Sequence, residues 1–226
     1  MKMTRIYKPM NLASWDKSGQ GNNIRHLFTP KEREIWDKAL PYQDKRNDVG
    51  HAEHVVYFAL KLLELIAGAE RAIVIPAAVL HDTGWSKLMP KVFSHYDPFS
   101  EDFKKNKLLY RNIHQKASLQ ISKKILKQVN YPNEFVPAIL EIVSQHDTRE
   151  GFFCAEDGIV RDADKLWRFT LQQMQADYFK RMTVEKIKEI RMNDIENSSY
   201  FYSGISRQIA RAELEQTIKY LTGNRR

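Results

Sequence analysis

Four histidines, His51, His81, His114 and His146, stand roughly 30 residues apart along the chain, about the span of one helical hairpin. Each falls near the end of a stretch whose apolar residues recur at helical spacing. A fold that honours both patterns lays these stretches against one another and gathers the imidazoles inside an all-α bundle. Carboxylates accompany them: Asp82 directly follows His81, Asp147 follows His146, and the pair Asp162/Asp164 lies further on.

The local signals agree with helices. Thr29-Pro30-Lys31-Glu32 predicts a helix start with Thr29 as cap, running to about Leu40. A second helix is predicted from Asp48 to Gly68 on the spacing of Val55, Ala59, Leu62, Leu63 and Ile66. Residues 70–82 are apolar and β-branched enough to resemble a strand, but a helix with Pro76 in its first turn is preferred. A polar connection over 84–100 leads to helices at 101–129 and 133–146, then a turn or short hairpin at Gly151–Gly158. Further helices fill 159–182, 183–195 and 204–222. The last, carrying Ile205, Ile209, Ala212, Leu214, Ile218 and Leu221 behind Tyr200, either closes the bundle or forms a homodimer interface through the C-terminal helices. Met174, Tyr178 and Phe179 read as core. Residues 1–29 form an irregular lead-in and the only candidate boundary, so 30–226 is one helical domain: a motif-bearing core over 45–170 and C-terminal helices over 171–222.

Composition removes several function classes. A lone cysteine, Cys154, excludes internal disulfides and Cys-rich metal sites, and reads as an inert thiol. There is no apolar secretory core near the N-terminus and no apolar run long enough to span a membrane. A soluble, cytoplasmic protein with no membrane partner is therefore expected. The net charge of +8 raises a nucleic-acid reading. Yet the densest basic stretch, Lys104, Lys105, Lys107, Arg111, Lys116, Lys123, Lys124 and Lys127, is spread around a helix. It reads as a solvated face with some pull on an anionic substrate, and nucleic acid is not an expected partner.

Imidazoles and carboxylates together suit Fe, Mn, Zn, Co or Ni better than a pure Mg or Ca cage. Adjacent helical residues diverge by about 100°, so His81 and Asp82 can share an ion only where the helix ends, and Thr83-Gly84 supplies that break. His54, one turn from His51, competes with it for the same role. Val55, Ala59 and Leu62 lie four, eight and eleven residues beyond His51 and place it on the apolar face, leaving His54 as a boundary or surface histidine. His26 and His95 read as surface histidines, His95 near the rim of any pocket.

The stretches Asn47-Asp-Val-Gly-His51, Ala78-Val-Leu-His81-Asp82-Thr-Gly-Trp85, Arg111-Asn-Ile-His114, Ile142-Val-Ser-Gln-His146-Asp-Thr-Arg149 and Val160-Arg-Asp-Ala-Asp164-Lys-Leu-Trp167 together resemble the HD-domain metalloenzymes over about residues 45–170. They are similar to the subset with the order H…HD…H…H…D. The resemblance implies an HD-type helical bundle with its metal site between helices, and a centre of two metal ions. His51, His81, Asp82 and Asp164 would then be ligands, Asp82 bridging at the catalytic centre, and His114 and His146 would complete the second position. Asp162 is left as a helix cap or as an acceptor for a ligating histidine.

On this resemblance the expected activity is hydrolysis of a phosphoester in a nucleotide or other small phosphorylated metabolite. Arg111, Arg149, Lys165 and Lys87, beside the motifs, are the candidates to hold phosphate oxygens. Lys165 points about 100° away from Asp164 along a helix, toward substrate or an ion pair with Asp82 or Asp162. The same ligands in some relatives serve di-iron oxygenation of polyols or phosphonates. A non-catalytic or nucleic-acid-binding scaffold is the third reading; it predicts missing ligands and a concentrated basic arm, and neither is seen.

Overall fold

A computed structural model describes residues 7–9, 15, 16, 18–46, 48–89, 100–174 and 182–223; among them the regular elements are helices and no strand occurs. Asn47, His95, Tyr178 and Phe179 lie outside the described residues. Among those described, no helix is long and apolar enough to cross a membrane.

Helix α1 (Pro30–Ala39) starts where its cap predicts: Thr29 accepts the Glu32 amide, Glu32 accepts the Thr29 amide, and Pro30 sits at the first position. Helix α2 (His51–Leu65) opens after Gly50, whose φ of 87° is left-handed. The Asp44 carboxylate takes two of the free amides there, Gly50 at 2.7 Å and Ala52 at 3.1 Å.

Helix α3 (Arg71–Leu80) corrects the placement of Pro76, which lies in its interior rather than its first turn. A proline there leaves the carbonyl four residues earlier without its amide. That carbonyl belongs to Ala72, and the Tyr131 hydroxyl donates to it at 2.7 Å. The connection expected over 84–100 contains a short helix, α4 (Trp85–Leu88). Helix α5 (Glu101–Gln128), capped by Ser100, is the longest, and α6 (Val136–Gln145) follows a turn through Asn130 at φ 49°.

Helix α7 (Ala155–Leu166) begins inside the stretch expected as a turn or hairpin and contains Gly158. Glycine is placed there by close packing, since a Cβ would stand 2.3 Å from the Tyr202 ring. The helix expected to continue toward 182 ends at Leu166, is followed by a 3-10 turn (Trp167–Phe169), and gives way to α8 (Leu171–Met174). Helices α9 (Val184–Glu196) and α10 (Gly204–Gly223) complete the chain.

Helix α2 is central, packed mainly on α7 and α3; α6 backs α3, α5 lies along α6, and α10 covers α7 and α9. The core between them holds Trp36, Phe58, Phe169, Leu62 and Ile75. Ile209 and Leu214 of α10 are buried in this core, with Ile205, Ala212, Ile218 and Leu221 packed against it. Tyr7, Ile24 and Phe28 of the lead-in belong to the same core. A smaller cluster of Trp85, Leu88, Phe103 and Tyr110 joins α4 to the start of α5.

Candidate metal centre

The six residues expected as ligands converge where α2, α3, α5, α6 and α7 meet. His51 is the first residue of α2, and His81 and Asp82 follow the last turn of α3. His114 lies in α5, His146 directly after α6, and Asp164 near the end of α7.

Their atoms form two groups that share Asp82. In the first, His51 Nε2 lies 3.3 Å from His81 Nε2, 3.2 Å from Asp82 Oδ2 and 3.4 Å from Asp164 Oδ1. In the second, His114 Nε2 lies 3.3 Å from His146 Nε2, and the two stand 3.4 and 3.2 Å from Asp82 Oδ1. Donors about 2.1 Å from one ion are about 3.0 Å apart in an octahedron and about 3.4 Å apart in a tetrahedron. Both groups have the spacing of ligands around a small cation.

Hydrogen bonds on the far side of the rings orient them. His81 Nδ1 donates to the Ala78 carbonyl at 2.8 Å, His146 Nδ1 to Val143 at 3.0 Å and His114 Nδ1 to Tyr110 at 3.2 Å. A carbonyl only accepts, so each Nδ1 carries a proton, and each ring in its neutral form turns a lone pair inward at Nε2. The lone pairs of His114 and His146 then face each other inside the protein, an arrangement that calls for a cation between them.

The electrostatics point the same way. Burial alone would lower the His81 pKa, but Asp82 and Asp164 outweigh it and raise it to about 9. Burial would raise the Asp82 carboxyl, yet Arg46, His81, His114 and His146 hold it well below the usual range. Asp164 and Asp147 are likewise kept low against burial by their histidine neighbours. Burial holds His114 low.

Three residues border the centre without having been assigned to it from sequence. Arg46 donates to Asp82 Oδ2 and, at 2.9 Å, to Asp48, with its guanidinium 4.8 Å over the Trp85 ring. Trp85 stacks on His114 at 4.4 Å and donates from Nε1 to Asp82 Oδ1 at 3.2 Å. Asp147 Oδ2 stands 3.5 Å from His114 Nε2, and Gln115 Oε1 accepts the Asp147 amide at 2.9 Å. Only Asp147 had a sequence signal, a His-Asp dipeptide repeating that of His81-Asp82; Arg46 lies in an aperiodic loop.

Among the basic candidates, Arg111 donates to the Asp147 carbonyl at 3.3 Å and so borders the second group. The Lys165 ammonium bonds the Tyr200 carbonyl and lies 4.9 Å over the Phe152 ring, rather than pairing with Asp82 or Asp162. Arg149 pairs with Glu141 and covers Phe153, while Lys87 is exposed on α4.

Two sequence readings are corrected. His54 is buried rather than at the surface, its ring 4.6 Å from Trp15 and 4.7 Å from Trp167, and burial lowers its pKa to about 3. Its Nδ1 donates to Gly50, which turns it away from the ligand groups. Asp162 neither caps a helix start nor contacts a ligand histidine; it accepts the amides of Tyr202 at 2.8 Å and Ser203 at 3.0 Å, tying α7 to the approach of α10. Cys154 accepts the Asp157 amide at the head of α7, and burial raises its pKa, which disfavours the nucleophilic thiolate. His26 is exposed. No family model, curated protein or solved structure matches this chain.

Proposed function

We propose that the chain is a metal-dependent phosphohydrolase of the HD-domain type, which cleaves a phosphoester of a nucleotide or other small phosphorylated metabolite to an alcohol and phosphate. The observation that carries this reading is the division of Asp82. Its Oδ2 lies beside His51 and His81, whose group includes Asp164, and its Oδ1 beside His114 and His146. A carboxylate shared in this way suits two adjacent divalent ions, and such a pair supplies Lewis-acid polarisation of a phosphoryl oxygen and water acidified to a pKa of about 7.

The chain's own groups have separate tasks. Asp82, kept ionised by Arg46 and the histidines, ties the two positions together and neutralises charge without taking up a proton. The bonds from Nδ1 to helix carbonyls stop the rings rotating. Trp85 covers the face of His114 and keeps water from it. Arg111, beside Asp147, presents a guanidinium to phosphate oxygens.

Metal analysis of protein purified without added metal, paired with a screen of phosphorylated metabolites, tests the proposal. About two transition-metal ions per chain and release of phosphate are expected, with one ion lost on His114→Ala or His146→Ala. A single ion insensitive to those changes rejects the two-position centre. Visible absorption with substrate-dependent oxygen uptake, and no phosphate release, replaces hydrolysis with di-iron oxygenation.

A further inference from the structure

We propose that Asp147 is a ligand of the second ion position, the counterpart there of Asp164 in the first. The proposal rests on the reading of the centre as one that holds two metal ions.

The two halves of the centre are built alike but unequally supplied. The chain turns the same corner twice, after α3 and after α6, each time through the residues His-Asp-Thr: His81-Asp82-Thr83 and His146-Asp147-Thr148. In both corners the histidine closes the helix, and its Nδ1 donates to the carbonyl three residues back, Ala78 or Val143. In both, a carboxylate follows and stands beside the imidazoles. Asp82 is common to the two positions. The first has Asp164 in addition, whereas the second has His114 and His146 and no carboxylate of its own.

Asp147 stands at that gap. Its Oδ2 is 3.5 Å from His114 Nε2, against 3.4 Å for Asp82 Oδ1 from the same nitrogen. Gln115, buried next to His114 on α5, clamps the corner: Oε1 accepts the Asp147 amide at 2.9 Å, and Nε2 donates to Thr148 Oγ1 at 3.0 Å. The main chain is fixed, yet the carboxylate accepts no hydrogen bond among the described residues, and the Nε of Arg111 stands off from Oδ2 at 3.9 Å. Without metal, Asp147 lies outside the mutual contact of Asp82, His114 and His146. A divalent ion among those three draws the carboxylate in by rotation about Cα–Cβ, because its pull at contact exceeds that of one guanidinium at 3.9 Å. Two divalent ions also carry four positive charges into a buried site, of which Asp82 and Asp164 offset two and Asp147 a third. The same rotation turns the carboxylate away from Arg111 and leaves its guanidinium to an anionic substrate.

The test is calorimetric titration of the metal-stripped, full-length protein with Co²⁺, followed as well by the visible absorption of the bound ion. The unaltered protein is expected to take two ions, the second being the one that His114→Ala abolishes. Asp147→Ala should weaken that ion by about a hundredfold and Asp147→Asn, which keeps the shape without the charge, by about tenfold, with the first ion within about twofold of normal. Its absorption band should shift in Asp147→Asn, while the melting temperature in chelator stays unchanged, since the carboxylate accepts no hydrogen bond in the metal-free chain. Arg111→Ala, which removes the guanidinium beside Oδ2, should leave the second ion bound at least as tightly. A second ion as tight in Asp147→Ala as in the unaltered protein overturns the ligand, and so does an equal loss in Arg111→Ala or a loss of both ions together. A single ion in the unaltered protein rejects the two-position centre and this ligand with it. Two ions, the second sensitive to Asp147, in a protein that cleaves no phosphoester keep the ligand and reject the hydrolase reading.

Discussion

Asp82 is the residue on which both ligand groups depend, because each of its oxygens faces a different set of imidazoles. Asp82→Asn keeps the shape but surrenders the negative charge and leaves an amide N–H₂ in place of one oxygen. Both ions are expected to be lost, whereas Asp164→Asn should cost only the ion beside His51 and His81. Metal content of the two variants reads this difference directly, and retention of one ion by Asp82→Asn would contradict the shared carboxylate. His81 adds a pH dependence. In the metal-free protein Asp82 and Asp164 raise its pKa from 6.5 to about 9. The folded chain therefore holds this proton more tightly than the unfolded chain, and the stabilisation is complete below about pH 6.5 and lost as pH rises toward about 9. Metal binding must displace the same proton, so affinity should climb as the metal-free melting temperature falls. Lys165, held by burial to about 8, acts in the opposite sense above that pH, so the comparison belongs between about pH 6.5 and 8, where at most about 2 kcal/mol is at stake. Calorimetry in chelator and metal titration over this interval should show opposite slopes; two flat profiles would remove His81 as the proton-linked ligand.

At the scale of elements, the turn after α3 must lie almost on α5 for Asp82 and His114 to meet. Gly84 makes that approach: its amide donates to Ser118 Oγ at 2.8 Å, and a Cβ there would stand 1.9 Å from the His114 carbonyl oxygen and 2.5 Å from the Ser118 nitrogen. Backbone atoms cannot be sidestepped by a rotamer change, so Gly84→Ala must push α5 outward. A loss of about 1–3 kcal/mol is expected, together with the ion held by His114 and His146. Denaturant unfolding and metal content check both effects, and an alanine variant with normal stability and two ions would refute the argument. Gly84 also marks how far the sequence alone can be read. The capping box of α1 and the phase that puts His51 inward are legible because residues within a few turns determine them. Pro76 in mid-helix, Gly158 within α7 and the burial of His54 are not, because Tyr131, Tyr202 and the pair Trp15/Trp167 decide them from distant parts of the chain. The same division runs through the centre: its histidines repeat at hairpin spacing, while Arg46 arrives from an aperiodic loop and Asp147 is held by Gln115 across from α5.

For the whole molecule, the open issue is whether the lead-in is an appendage or part of the fold. Tyr7, Ile24 and Phe28 are buried in the main core, Phe28 with its ring 5.6 Å from that of Trp36 in α1. The Tyr7 hydroxyl donates to Glu213 of α10, and Asn23 donates from its backbone and side chain to Glu53 of α2, at 2.8 and 3.0 Å. Glu53 and Glu213 are both fully buried, so losing these donors removes hydrogen bonds to two buried carboxylates, at about 1–3 kcal/mol each. Three apolar side chains add about 1.5–3 kcal/mol apiece. The total, about 6–15 kcal/mol, is comparable with the whole stability of an ordinary domain, about 5–15 kcal/mol. Residues 30–226 expressed alone are therefore expected to lack a cooperative thermal transition and near-ultraviolet dichroism. Because α2, which Asn23 and Trp15 brace, also carries His51 at its first turn, the truncated chain should fail to retain metal as well. A truncated protein that melts cooperatively near the full-length temperature, with two ions bound, would make the lead-in a separable tail and the bundle complete without it.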